Sequence, residues 1–341
     1  MTVFTCGGCD NALTAPVSQV ALPPLVHAYQ GCERGWIAPL LEPGTFAVDP
    51  EPAGPPWRAW EEIDTAEAEA RGIYAPTSYL PDGPSGAICI APGDIRGTVL
   101  IPERCDASCW GLYGADGPNL VCTQCGHAVA TRVDHCGHWQ VIWLDPRAVH
   151  RTGGDDDVIG WEELRQAVEP VPPVEPSGRW SPLWEAAAGA ALAHLLAVSE
   201  GHRVIMPDGP IAQVFRQTLD VLLPSGPSSW TLGLDGPGLS TDADIALVPQ
   251  HPQTAETWPR GTGAAVPLPA EVWTHLAAHD DRRLLLAIGS LPYGVRRDDP
   301  PPPLPDQFRP DERVFIHTLA RLPAVRQPWL RAIHERFART H

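Results

Sequence analysis

Near the start of the chain, Phe4-Thr-Cys6-Gly-Gly-Cys9-Asp-Asn-Ala-Leu-Thr-Ala-Pro-Val aligns without a gap on Leu120-Val-Cys122-Thr-Gln-Cys125-Gly-His-Ala-Val-Ala-Thr-Arg-Val. No other feature limits the fold as strongly. A Cys-x-x-Cys turn brings two thiolates onto one small loop, where both reach a single Zn²⁺ at about 2.3 Å, and a glycine such as Gly126 gives the turn its backbone freedom. Two such half-sites complete a tetrahedral shell. Cys6, Cys9, Cys122 and Cys125 therefore predict one zinc ion and draw the N-terminal segment against a distant one. Each knuckle runs into an apolar stretch that reads as a strand.

The remaining cysteines leave the pairing open. Cys105-Asp-Ala-Ser-Cys109, followed by Cys122 and Cys125, is also an acceptable spacing for four thiolates on one metal. In the first arrangement, favoured by the likeness of the two knuckles, Cys6 and Cys9 join Cys122 and Cys125, leaving Cys105 and Cys109 for a second site. In the second, the central four close on themselves and the N-terminal pair binds elsewhere. If residues 128–143 form one strand, Cys136 and His138 point to one face. Cys105, Cys109, Cys136 and His138 would then form a closed, structural site of three thiolates and one imidazole. The alternatives are a small buried apolar residue at Cys136 and a water-bonded edge imidazole at His138. Cys32 and Cys89 read as free thiols.

Composition excludes several chemistries. All 24 basic residues are arginine. Without lysine the chain cannot form a Schiff base, anchor pyridoxal phosphate, or use the P-loop or kinase lysine. A formal charge of −17 repels a phosphate backbone, so no nucleic-acid partner is expected. The arginines between Arg309 and His341 read as a solvated helical face. Met-Thr-Val-Phe-Thr-Cys has neither the charged nor the apolar region of a signal peptide, and no apolar run of about 18 residues stands out. The expectation is a cytoplasmic protein with reduced thiols and no membrane span.

The fold class predicted is α+β in two domains. Residues 1–168 read as a β-rich, zinc-binding domain, since runs such as Ala87-Ile-Cys-Ile90 and Gly97-Thr-Val-Leu-Ile101 are bounded by turn residues. Residues 51–60 are too proline-rich for a central strand, and a short helix follows at Asp64–Ala70. Residues 169–179 read as a stiff proline-rich linker. Residues 180–341 alternate helix and strand, as a small, mostly parallel α/β domain does. Ser181 and Pro182 open a helix whose stripe includes Leu183, Trp184, Ala187, Ala191, Leu192 and Leu195. Pro210 opens another, with Ile211, Val214, Phe215, Val221 and Leu222 as its stripe. Strands are expected at Arg203–Met206, Trp230–Leu234, Asp244–Val248 and Arg283–Ile288, with helices at Pro269–His279, from Asp311 and from Pro328.

Catalytic templates are absent: there is no His-Glu-x-x-His, Gly-x-Ser-x-Gly, P-loop or zinc-deaminase pattern, and Gly261-Thr-Gly263-Ala-Ala lacks the third glycine of a dinucleotide turn. Two polar clusters remain. Asp94 and Arg96 could share a cleft or simply stitch a turn. Gly153-Gly-Asp-Asp-Asp157 is a nominal hard-cation cluster but lacks the spaced ligands of a calcium loop.

The first domain resembles a zinc ribbon. The whole chain, through Val48-Asp-Pro-Glu-Pro52, Ala91-Pro-Gly-Asp-Ile-Arg-Gly-Thr-Val-Leu-Ile-Pro-Glu-Arg-Cys105, Asp116-Gly-Pro-Asn119 and Trp143-Leu-Asp-Pro-Arg-Ala-Val149, resembles an uncharacterised actinobacterial family of cysteine-rich proteins. That resemblance implies a cytoplasmic, lysine-poor protein and supplies no catalytic residue. The function expected is a zinc-stabilised interaction or scaffold protein with a protein partner and no catalytic metal. The alternative is an enzyme with structural zinc and an active site at the domain junction using Asp94, Arg96 and a histidine.

Overall fold

Proline-bounded, β-branched runs too short to bury a face alone become the strands of one broad sheet. The computed structural model describes residues 1–28, 38–77, 79–105, 111–154, 157–223, 226, 228–278 and 307–339. The chain is α+β and divides into two compact units, one of residues 1–68, 76–158 and 253–255, the other of residues 69–75, 159–252 and 256–341.

The strands of the first unit are β1 (Thr2–Cys6), β2 (Ser18–Gln19), β3 (Thr45–Asp49), β4 (Trp57–Ala59), β5 (Tyr79–Pro81), β6 (Ala87–Ile90), β7 (Thr98–Leu100), β8 (Gly111–Leu112), β9 (Leu120–Cys122), β10 (Ala128–His135), β11 (Val141–Leu144) and β12 (Val149–Gly153). The main sheet runs β2-β3-β6-β11-β10-β9-β7, with β8 on the far end of β10. All its pairings are antiparallel except β2 with β3. Strand β1 pairs separately with β12, and β4 with β5. The latter ribbon holds the proline-rich stretch off any central position, as its missing donors require. The core gathers Phe4, Leu13, Phe46, Ile90, Leu120, Val129, Ile142 and Leu144. The Phe4 and Phe46 rings meet edge to face at 5.1 Å, tying β1 to the main sheet.

The expected single strand over 128–143 is instead a hairpin. His138 N–H donates to the His135 carbonyl at 2.9 Å, and the chain reverses there before β11 pairs back on β10. Cys136 and His138 therefore lie on a turn, and the alternation of a strand does not apply to them.

The second unit carries α2 (Leu164–Ala167), α3 (Pro182–Ser199), β13 (Arg203–Ile205), α4 (Pro210–Leu222), β14 (Ser229–Leu234), β15 (Ile245–Gln250), β16 (Ala264–Pro269), α5 (Ala270–Ala278), α6 (Glu312–Ala320) and α7 (Pro328–Ala338). A six-residue helix, α1 (Thr65–Ala70), precedes them in the chain. Strands β13 to β16 form a parallel sheet in sequence order. Residues Ile245–Val248 at its centre are fully buried, which is why that run is apolar without alternation. Strand β16 lies within the glycine- and proline-containing stretch where no strand was expected. The expected strand Arg283–Ile288 lies outside the described residues.

The stretch expected as a linker, 169–179, falls inside the second unit. Val171 N–H donates to Glu271 O at 3.3 Å, Ser181 N–H to Pro173 O at 2.9 Å, and the Trp184 indole to Val171 O at 2.8 Å. Proline content read as stiffness is here docked on α3 and α5. Helix α3 is also more buried than its stripe implied. It has the length and apolarity to cross a bilayer, but eleven of its eighteen residues are buried in the unit, as expected of a core helix that is apolar all round. Its Gly189 lets Asp311 approach, because a Cβ there would stand 2.4 Å from the Asp311 carbonyl oxygen. On α4, Val214 and Phe215 of the expected stripe are buried and Ile211 and Leu222 pack against the core, but Val221 is 70% exposed, two residues beyond the buried Leu219 and so on the opposite face.

His334 of α7 is fully buried, and neither ring nitrogen has a hydrogen-bond partner among the described residues. Burial, reinforced by Arg331, lowers its pKa from 6.5 to about 4. Between those values the unfolded chain binds a proton that the folded chain refuses, so stability falls as pH drops through this window. The expected loss is about 3 kcal/mol. Urea melts at pH 7 and pH 4 should show it, and His334→Leu should flatten that part of the profile.

Candidate metal centre

The two knuckles fold into the same local structure. Strand β1 ends at Cys6 and β9 ends at Cys122. In each, the first cysteine N–H donates to the carbonyl five residues on, Asn11 O and His127 O, both at 2.9 Å. In each, its carbonyl accepts from the N–H four residues on, Asp10 at 2.8 Å and Gly126 at 2.9 Å. The residue after the second cysteine is left-handed in both, Asp10 with φ 58° and Gly126 with φ 72°. Glycine adopts that conformation freely and aspartate tolerates it. The gapless alignment thus corresponds to a repeated backbone motif, whose strand residues Phe4 and Leu120 and return residues Leu13 and Val129 are all buried.

Facing each other, the knuckles bring four sulfurs together. The Sγ atoms of Cys6, Cys9, Cys122 and Cys125 all lie within 4.8 Å of one another. Cys6 approaches Cys125 at 3.5 Å and Cys9 approaches Cys122 at 3.6 Å, so each close pair joins the two knuckles. Sulfurs at about 2.3 Å from a tetrahedral metal stand about 3.8 Å apart. The cluster has the size of such a shell. Cys6 and Cys122 are buried, while Cys9 and Cys125 are exposed. Of the two alternatives read from the spacing, the structure brings together the N-terminal and central pairs.

The surroundings are arranged for thiolate. Gly8 N–H points at Cys6 Sγ at 3.4 Å, and the Asn11 amide at Cys122 Sγ at 3.5 Å. Burial pushes the Cys122 thiol up, but N–H groups of Cys125 and Gln124 and the Asn11 amide more than offset it, and its pKa falls to about 6. At Cys9 the Asn11 N–H favours the thiolate, yet the neighbouring sulfurs and burial outweigh it and raise the pKa to about 12. Burial, first among several causes, also raises Cys6. Once Cys122 ionises, further negative charge among touching sulfurs is opposed. A bound dication relieves that opposition, so the residues fit a metal in number, element and spacing. Asn11 and Gly8 were not singled out from sequence; only their places inside the repeated motif could have indicated them.

The second proposed site is not assembled among the described residues, where the Cys6, Cys9, Cys122 and Cys125 group is the sole set of this kind. The Cys105 thiol donates to Ile101 O at 3.2 Å. Cys109 lies outside the described residues, as do Cys32 and two of the aspartates in 153–157. Cys136 Sγ lies 4.0 Å from His135 Nδ1. Cys89 is buried, with its thiol toward Ala47 O at 3.5 Å, and burial raises its pKa to about 12; it is an inert core thiol. The Asp94 carboxylate is buried and accepts Gly44 N–H at 2.7 Å. The exposed Arg96 guanidinium donates to the carbonyls of Gly93 at 2.6 Å and Ile95 at 2.7 Å. The two side chains serve separate turns.

No protein family, curated protein or solved structure matches the chain. The chemistry of the centre rests on its own residues: four sulfurs and no side-chain oxygen, the donor set of zinc rather than of magnesium or calcium.

Proposed function

We propose that the first unit is a zinc-ribbon-like platform, built around one structural Zn²⁺ on Cys6, Cys9, Cys122 and Cys125, and that the protein acts by binding a protein partner. The observation that carries this reading is the convergence of four sulfurs from two like knuckles. Four thiolates fill a tetrahedral shell and leave no position for water or substrate, so the ion would supply folding energy and not Lewis acidity. Asp94 and Arg96 are committed to backbone groups, which removes the support for an active site built on that pair.

A partner surface adjoins the centre. Strand β7 pairs with β9 on one side and ends the path of the main sheet, with Thr98 opposite Cys122. Its Val99 is 52% exposed and its Leu100 37% exposed. An edge that is unpaired among the described residues and carries exposed apolar side chains suits an added strand from a partner. The net charge of −17 argues against a polyphosphate partner. The reading places the protein in a reducing compartment such as the cytoplasm, where thiolates persist.

Metal content on protein purified without added metal or chelator tests the centre. About one tightly held zinc per chain is expected, and its removal with a strong chelator should lower Tm by about 10 °C or more. Metal-free protein with the same Tm would refute the platform.

A further inference from the structure

The arginines near the end of the chain do not all play the solvated role that their spacing suggests. Of the seven from Arg309 to Arg339, Arg321 donates to His317 O, Arg326 pairs with Glu69, Arg331 donates to Tyr74 O and Arg339 to Glu335 O. Arg313 is engaged as well. Among the described residues, Arg309 and Arg336 make no hydrogen bond or ion pair. The Arg336 guanidinium instead lies over the Phe337 ring, 5.3 Å from its centroid. These two arginines line one cavity of about 320 Å³ within the second unit, between α4, α6, α7 and the residues that lead into α6. Small-molecule sites occupy about 300–1,000 Å³. The buried Leu192, Val214, Phe308 and Phe315 and the half-buried Phe337 give the cavity apolar walls. Val221, the exposed valine of α4, lines it with Val214 and Thr218, at the three- and four-residue spacing of one helix face. The Gln307 side-chain amide donates to Gln217 and links the segment before α6 to α4.

We propose that this cavity binds a small amphiphilic anion, a medium-length alkyl carboxylate, with its chain against the phenylalanines and its head on Arg309 and Arg336. A guanidinium matches a carboxylate in charge and in planar, two-point hydrogen bonding. Both arginines are exposed and take up the head without first giving up an ion pair. The apolar walls favour the chain by removing it from water. The carboxylate of Glu312 also lines the cavity, so two guanidiniums stand against one carboxylate. That balance suits a single negative charge and disfavours a polyanion. A neutral alcohol of the same length would leave the guanidiniums unpaired, and acetate would leave the walls uncovered. All the groups involved belong to the second unit, so the proposal stands or falls separately from the zinc centre.

The test is calorimetric titration of the full chain, as purified, with octanoate, and with octanol and acetate as controls. One octanoate per chain is expected, bound at least about tenfold more tightly than octanol or acetate. Arg309→Gln combined with Arg336→Gln should abolish the preference for octanoate over octanol. Val221→Glu, which places a like charge at an exposed position of the rim, should weaken octanoate binding by about tenfold or more. Tm should be unchanged in both variants. Absence of saturable octanoate binding, or an affinity unchanged in the double arginine variant, would overturn the proposal. Dimers in sedimentation that Val221→Glu dissociates would overturn it as well, since a second copy of the chain would then cover the cavity.

Discussion

Cys122→Ser is expected to reduce tightly bound zinc to well under one per chain and to unfold the knuckle pair. The Cys122 thiolate is favoured by N–H groups of its own turn and by Asn11 from the other knuckle. Serine offers no comparable ligand at neutral pH. Structural zinc sites contribute on the order of 10 kcal/mol to folding, so losing one of four ligands removes enough to melt a unit of ordinary marginal stability. Amide exchange should show protection lost first in β1, β9 and the start of β10. Cys89→Ser is the matched control: it alters a buried thiol of the same unit that lies outside the cluster, and zinc should be retained. Equal zinc in Cys122→Ser and wild type would remove the basis of the platform reading.

Gly189→Ala is expected to destabilise the second unit although alanine is the better helix former. In an open helix the change would gain about 1 kcal/mol. Here the new Cβ would stand 2.4 Å from Asp311 O, a backbone atom, and 3.3 Å from the Phe315 nitrogen. The chain cannot simply swing aside, since Asp311 N–H also donates to Glu185 O at 2.8 Å, one turn earlier on α3, and the Asp311 carboxylate caps α6 through Val314 N–H at 2.8 Å. Separating α3 from this cap costs about 1–3 kcal/mol beyond the propensity gain. Thermal melts should show Tm lower by about 5 °C. A Tm rise would show that propensity dominates and that the approach of α6 to α3 is loose.

The legible parts of the sequence were those with a local physical signature. The knuckles could be read because Cys-x-x-Cys spacing and the repeat fix both chemistry and backbone, down to the left-handed position after each second cysteine. Helices α6 and α7 began where Asp311 and Pro328 announced them. What could not be read depended on distant partners. The turn at His135–His138 lacks a strong turn dipeptide, and its β-branched approach reads as continuous strand until β11 pairs back on β10. The proline-rich stretch 169–179 looks like a spacer by composition, but three hydrogen bonds to and around α3 and α5 dock it. At Asp94 and Arg96 the sequence left a shared cleft and a stitched turn both open, because closeness in sequence does not say where either side chain goes; burial and Gly44 decide the role of Asp94. Asn11 carries no motif of its own, and its bond to Cys122 exists only once the knuckles face each other.

That facing arrangement sets an order of events during synthesis. Cys6 and Cys9 leave the ribosome long before Cys122 and Cys125, by on the order of ten seconds at ordinary elongation rates. Throughout that interval the early knuckle is half of a coordination shell, with two thiols available to oxidants or to stray metal. Strand β1 has by then only the antiparallel bridges of Thr2 to Val17 and Thr5 to Ala12 on one side, because its ladder partner β12 lies later still. The nascent chain thus depends on the reducing capacity and zinc supply of its surroundings before the rest of the unit exists. Zinc scarcity during translation should therefore lower the yield of folded protein more than the same scarcity imposed afterwards.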